Sequence, residues 1–159
     1  MPNTDFPKFT AAQIADLIKQ ADTKATATFY VLGITTAALL TRLTAIKTAG
    51  GITMEWMSLF TIAIVLILLA FKSIIAVIYP RFSKGERNDL VYFENIVLEQ
   101  KEDYVARGMQ LEEKEIAEAM YRNVYNLALI AHRKYHALRI ALGLTGISII
   151  ATIVILFLS

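Results

Sequence analysis

His132 and His136 are the first residues whose spacing could support chemistry, because side chains four apart on a helix share a face and can close on one metal ion. They stand beside Arg133 and Lys134 with no acidic residue near them in sequence. They therefore read as interfacial polar side chains, and no metal is expected. The chain has no cysteine, which excludes disulfides, thiolate zinc sites and cysteine nucleophiles. It also lacks a glycine-rich phosphate loop, an HExxH pair and a serine in a nucleophile-elbow context. Glu112, Glu113, Glu115 and Glu118 crowd one short stretch, but acids in the first turns of a helix complement its dipole. No catalytic residue is expected.

A second constellation is more informative. Asp22 and Lys24 precede one apolar run, Arg81 follows the next, and Arg133, Lys134 and Arg139 precede the last. Helices crossing back and forth place these charges at similar depth. Lys134 continues the apolar stripe of Leu127 and Ala131, so it is aimed at the interior of a helix bundle. A charge there needs a counter-charge or a ligand. Two readings stay open. Asp22 can pair with Lys134; Lys24, two residues on, points to another side of the helix. Alternatively Lys134, Arg133 and Arg81 form an anion pocket, with Tyr92, Phe93 or Tyr135 available to stack on a base. Basic residues at this level also meet anionic lipid headgroups.

The elements that must hold these residues follow from the distribution of apolar side chains. Of 159 residues 56% are hydrophobic, gathered in blocks, which is a membrane signature. Residues 57–79 carry one charge, Lys72, and residues 140–158 carry none, so both read as spans. Trp56 and Tyr79 bracket the former at the depth where amphipathic rings settle. Lys72 either snorkels toward the Tyr79 side or lines a pore or bundle contact. Residues 25–46 form a weaker span, with six threonines and Arg42. Those 22 residues of helix still cover roughly 33 Å, and threonine hydroxyls that bond back to helix carbonyls are cheap in lipid. Ahead of them residues 10–24 read as an amphipathic helix, with Thr10 and Gln13 as a capping box, Phe9 and Ile14 as a staple, and Ile14, Leu17, Ile18 and Ala21 as its apolar face. Helix is expected to run unbroken from about residue 11 to 46. No cleavable signal peptide is expected.

Between the second and third spans, residues 81–139 hold ten acidic and ten basic side chains. A turn near 83–86 leads to a helix over about 87–107, with Leu90, Phe93, Val97 and Tyr104 as its stripe. Gly108 separates it from a second helix that starts near Leu111, carries Ile116, Met120, Val124, Leu127 and Ala131, and continues into the third span. The fold class is thus an all-α membrane protein, read as a single domain over 1–159. It has three transmembrane helices, an N-terminal amphipathic helix and an αα-hairpin whose second helix runs on into the third span. The excess of Lys and Arg places the N-terminus and 81–139 in the cytoplasm and the C-terminus outside. With a net charge of only +2 and interleaved signs, no nucleic-acid polymer is an expected partner.

Ala21-Asp22-Thr23-Lys24-Ala25 leading into a span, Tyr79-Pro80-Arg81, Tyr92-Phe93, and Arg133-Lys134-Tyr135 entering a final span together resemble the transmembrane effectors of Pycsar antiphage systems. The resemblance covers essentially the whole chain. It implies a bacterial inner-membrane effector without enzymatic activity, paired functionally with a pyrimidine nucleotide cyclase. Its ligand would be a cyclic nucleotide second messenger, cUMP or cCMP, whose binding leads to loss of membrane integrity and cell death. The ligand-binding candidates Asp22, Lys24, Arg81, Tyr92, Phe93, Arg133, Lys134 and Tyr135 come from depth and facing. A three-span chain encloses no pathway alone, so a homo-oligomer is expected, with Gly33/Ala37 and Gly143/Ser148/Ala151 as small contact faces. An adaptor that docks a partner through its charged hairpin and a ligand-independent membrane-permeabilising toxin are the alternatives.

Overall fold

The computed structural model describes residues 5–48, 50, 53–79 and 100–158. Among these the regular elements are the helices α1 (Asp5–Thr48), α2 (Met54–Ile78), α3 (Lys101–Gln110) and α4 (Glu113–Phe157). Three of them, α1, α2 and α4, are long and apolar enough to cross a membrane, with mean hydropathies of 1.5, 2.8 and 2.6 over their most apolar windows. The protein is an all-α, multi-pass membrane protein. Its contacts form two compact units, one from Met1–Lys19 with Pro80–His132, the other from Gln20–Tyr79 with Arg133–Ser159.

α1 is continuous, as its lack of internal breakers predicts, but it starts earlier than the capping box implied. Thr10 lies inside the helix and its hydroxyl donates to the Phe6 carbonyl at 2.9 Å instead of capping. Pro7 is tolerated because it sits in the first turn, where its missing N–H has no helical partner to lose. Leu17, read as part of the apolar face, is exposed, whereas Ile14, Ile18 and Ala21 turn inward. The six threonines of the span behave as expected. Thr26, Thr28, Thr35, Thr36 and Thr41 donate to the carbonyl four residues back, and Thr44 to that three back. After Thr48 the chain turns through Gly50, whose φ of 70° is the left-handed conformation that ends helices cheaply only at glycine.

α2 begins three residues before the expected boundary because Thr53 caps it: the Trp56 N–H donates to the Thr53 hydroxyl. In the hairpin, Gly108 lies within α3 and does not separate two helices. The break falls at Leu111, whose backbone is extended at φ −67°, ψ 134°. Glycine in a helix costs only about 1 kcal/mol, so its presence did not force a stop. α4 starts with half of a capping box, the Glu112 N–H donating to the Glu115 carboxylate at 2.9 Å. The expected helix over 87–100 and the turn at 83–86 lie outside the described residues.

The seam between the spans follows a rhythm the sequence did not advertise. The inward positions of α1 are Ala21, Ala25, Thr28, Leu32, Thr35 and Leu39, continued by half-buried Arg42 and by Ile46. Those of α2 are Phe60, Ala63, Ile67, Ala70, Ile74 and Val77. Those of α4 in this unit are Lys134, Leu138, Ala141, Thr145, Ser148, Thr152 and Ile155. All three alternate steps of three and four residues. That heptad period of 3.5, rather than 3.6, is the condition for left-handed supercoiling with knobs-into-holes packing. Upstream on α4 the same rhythm passes through Ala117 and Ala131 in the other unit, so Ile116, expected on the stripe, faces out at 37% exposure.

Ala, Thr and Ser alternate with larger residues such as Leu32, Leu39, Phe60 and Ile74 in the seams, while many other large side chains face out. Phe29, Ile34, Ile62, Leu68, Ile147 and Ile150 are all exposed on the outer surface of the bundle. Only 22–28% of the most apolar windows is buried within the chain. Lipid supplies no hydrophobic drive between helices, so close packing holds them, with Ala, Ser and Thr letting the backbones approach and Leu, Ile and Phe60 filling the spaces between.

Candidate functional site

The heptad register positions the charge that the sequence singled out. Lys134 occupies a seam position of α4 and is 7% exposed. Its Nζ donates to Asp22 Oδ1 on α1 at 2.5 Å, and the Asp22 side chain keeps 42% of its surface exposed. Removing an ammonium from water costs several kcal/mol, and Asp22 offsets that cost. The geometry is asymmetric: the cation is enclosed, while the anion has one side open to exchange its partner for another. Of the two readings of Lys134, the described structure forms the Asp22 pair.

The other candidates divide into three groups. Lys24, Arg133 and Arg139 are exposed at the same stretch of their helices and donate to no carboxylate among the described residues. Tyr135 is half-buried against the apolar core and so does not offer a free stacking face. Arg81, Tyr92 and Phe93 lie outside the described residues. The structure therefore brings together Asp22 and Lys134, with Tyr135 beside them in sequence but committed to packing. His132 and His136 are both exposed, and among the described residues no three of His, Asp and Glu converge on a point. Lys72 projects away from the α2 seam, between half-buried Phe71 and Ser73. It is thus no contact within this bundle.

Of the small faces, Gly33 and Ala37 are together on the outside of α1, open to a neighbour. The second set is split: Gly143 faces out, whereas Ser148 is fully buried in the seam. Five and eight residues do not return to one side of a helix with a 3.5-residue period, so these three positions never formed a single face.

Two features escaped the sequence reading. The first is the run of hydroxyls on the α4 seam, Thr145, Ser148 and Thr152, at 4%, 0% and 3% exposure. Only the 3–4 spacing continued from Lys134 could have shown that they face inward. The second is a cavity of about 490 Å³ within the unit formed by Met1–Lys19 and Pro80–His132. Pro7, Lys8 and Ala11 form one wall, and Tyr104, Met120 and Asn123 are prominent on the others. Its lining is mainly apolar, with one phenol, one amide and one ammonium. Residues 7 and 8 precede the helix start expected near residue 10, which hid their place in α1.

The model of the Pycsar effector protein domain, PycTM, matches residues 8–159. The chain belongs to this family. The match covers all four described helices except the first turn of α1, so the charge pair, the hydroxyl seam and the cavity lining other than Pro7 lie within the family's domain. As a Pycsar effector, the protein acts in antiphage defence. Comparison with curated proteins and with solved structures gives no match.

Proposed function

We propose that this Pycsar effector is a non-enzymatic sensor of a cyclic pyrimidine mononucleotide, cUMP or cCMP, that permeabilises the bacterial inner membrane when the nucleotide binds. The observation that carries the reading is the buried Lys134 held by half-exposed Asp22 in a chain of this family. A nucleotide phosphate is an anion that competes with, or adds to, the Asp22 carboxylate for one enclosed ammonium. Arg133 and Lys24, exposed nearby in sequence, add long-range attraction for the same charge. Because Lys134 is part of α4, a changed partner at its seam position biases the packing of the helix against α1. Equal affinity for both packings would shift nothing, so the phosphate must bind the rearranged one better.

The orientation that suits this reading puts the N-terminus and residues 81–139 in the cytoplasm, where a cyclase delivers its product, and the C-terminus outside. Copies then associate through outward small faces such as Gly33 and Ala37, and the spans repack into a leak. The cavity supports a second placement of the nucleotide. Tyr104 offers a ring to stack on the base, Asn123 an amide for its polar edge and Lys8 a charge for its phosphate.

Calorimetric titration of the detergent-solubilised protein against cyclic mono- and dinucleotides tests the proposal. Binding of cUMP or cCMP, weakened at least tenfold by Lys134→Met and untouched by Tyr104→Ala, is the expected result. The reverse pattern moves the site to the cavity. No binding by any member of the panel contradicts the sensor and leaves a ligand-independent toxin or an adaptor.

A further inference from the structure

We propose that the interface of α1 and α4 is itself the route of the leak, a path for water and small inorganic ions lined by Thr28, Thr35, Thr145, Ser148 and Thr152. The inference rests on the membrane-permeabilising reading above and names the surface that does it.

Three successive spans alternate in direction, so the first and third run parallel. The Asp22–Lys134 pair fixes their offset at 112 residues. Carried along helices of equal rise, that offset sets Ser148 level with Thr36, next to the seam hydroxyl of Thr35. Both lie near the middle of their apolar stretches, where a hydroxyl is least expected. Thr28 and Thr145 extend the ribbon toward the Lys134 end, and Thr152 extends it toward the other. The α2 seam contributes only Phe, Ala, Ile and Val. The polar lining is therefore a property of α1 and α4 alone.

In the packed bundle most of these hydroxyls are occupied. Thr28, Thr35, Ser148 and Thr152 donate to carbonyls four residues back at 2.7–2.9 Å. Thr145 is the exception. Its hydroxyl oxygen is buried, at 4% residue exposure, and has no hydrogen-bond partner. A valine would fill the same volume without leaving a buried polar atom unsatisfied. A hydroxyl that costs stability in the closed seam gains a partner as soon as water enters between α1 and α4. The other hydroxyl oxygens keep lone pairs for the same water.

Arg42 closes the ribbon at the end of α1 remote from Lys134. It follows the seam rhythm, and its Nε is buried without a hydrogen-bond partner. A guanidinium at one mouth, with the Lys134 charge neutralised by Asp22 at the other, makes the path favour anions such as chloride over potassium.

The chain has no cysteine, so each introduced thiol is the only one present. Thr145→Cys, Ser148→Cys, Thr152→Cys and, as lipid-facing controls, Ile147→Cys and Ile150→Cys are reconstituted in liposomes. Each is treated with a small charged methanethiosulfonate, with and without cUMP or cCMP. A thiol in lipid or in a dry seam stays protonated and unreactive. The expected result is modification at 145, 148 and 152 only while vesicles leak, with block of the leak, and none at 147 or 150. Vesicles that leak while the three seam thiols stay unreacted overturn the path and leave the functional reading standing. Vesicles that never leak overturn both. Wild type is expected to pass chloride in preference to potassium, and Arg42→Gln to shift that ratio several-fold toward potassium; a potassium-selective wild type contradicts the role given to Arg42.

Discussion

The α2 and α4 seams have the same period and are equally dry, yet they are made of different chemistry. α2 packs Phe60, Ala63, Ile67, Ala70, Ile74 and Val77; α4 packs Lys134, Thr145, Ser148 and Thr152 among its apolar residues. Geometry alone asks only that seam residues be small or well shaped, and α2 meets that with hydrocarbon. The polar content of α4 is therefore surplus to packing. Such a surplus weakens one helix contact relative to the other, so α4 is the helix placed to part from α1 while α2 holds.

The largest effect expected from this contrast is at Phe60, which is 3% exposed. Phe60→Ala should cost about 3–5 kcal/mol by opening a cavity the bundle cannot refill. Unfolding of the purified protein by SDS titration measures it. A cost no larger than that of outward Leu68→Ala would remove α2 from its anchoring role. Next comes Asp22→Ala, which leaves an enclosed ammonium without its counter-charge. We expect about 3 kcal/mol, the low end for orphaning a buried charge because Asp22 is 42% exposed. Lys134→Met, which leaves only a solvated carboxylate, should cost under about 1 kcal/mol. Equal losses in the two variants would mean that the lysine is less enclosed than its geometry shows.

Smaller still is Thr152→Val. The lost hydrogen bond is local and a methyl takes the hydroxyl's place, so stability should change by less than about 1 kcal/mol. Its leak should nevertheless fall, a separation that an equivalent change at exposed Thr41 should not produce. Last, off both seams, Glu115→Gln weakens the charged start of α4 and should lower stability by about 0.5 kcal/mol. A loss of several kcal/mol there would mean that the helix start governs α4 more than its seam.

Much of the fold was legible because blocks of apolar residues and helix breakers are blunt signals. Continuous α1 and the unbroken α4 follow from them, the threonine back-bonds follow from placing those residues in a helix, and the Asp22–Lys134 pair is one of the two readings that the depth of the charges left open. The seam was not legible for a physical reason. In water, apolar against polar marks the inside of a helix; in lipid the outside is as apolar as the inside, and the 3–4 spacing of small and hydroxyl residues is the signal that remains. Outside the spans, Leu17 and Ile116 were assigned inward on hydrophobicity, and both face out because the inward rhythm falls on their neighbours Ile18 and Ala117. Ser148 was grouped with Gly143 on size, and the 3.5-residue period separates them. Boundaries failed for local reasons: the Thr10–Gln13 pair looked like a cap but lies inside α1, which Pro7 can enter in its first turn, and Gly108 looked like a break but is carried by α3. The cavity joins segments about a hundred residues apart in sequence, and a stripe on either one does not announce it.

The central claim is that a cyclic pyrimidine mononucleotide turns this bundle from sealed to leaky. Ion flux from liposomes containing the purified protein, recorded before and after addition of cUMP or cCMP, tests it most directly. Sealed vesicles that begin to leak within the nucleotide's binding range, and that stay sealed with purine cyclic mononucleotides, are the predicted result. Vesicles that leak equally with and without nucleotide, or never leak, contradict it.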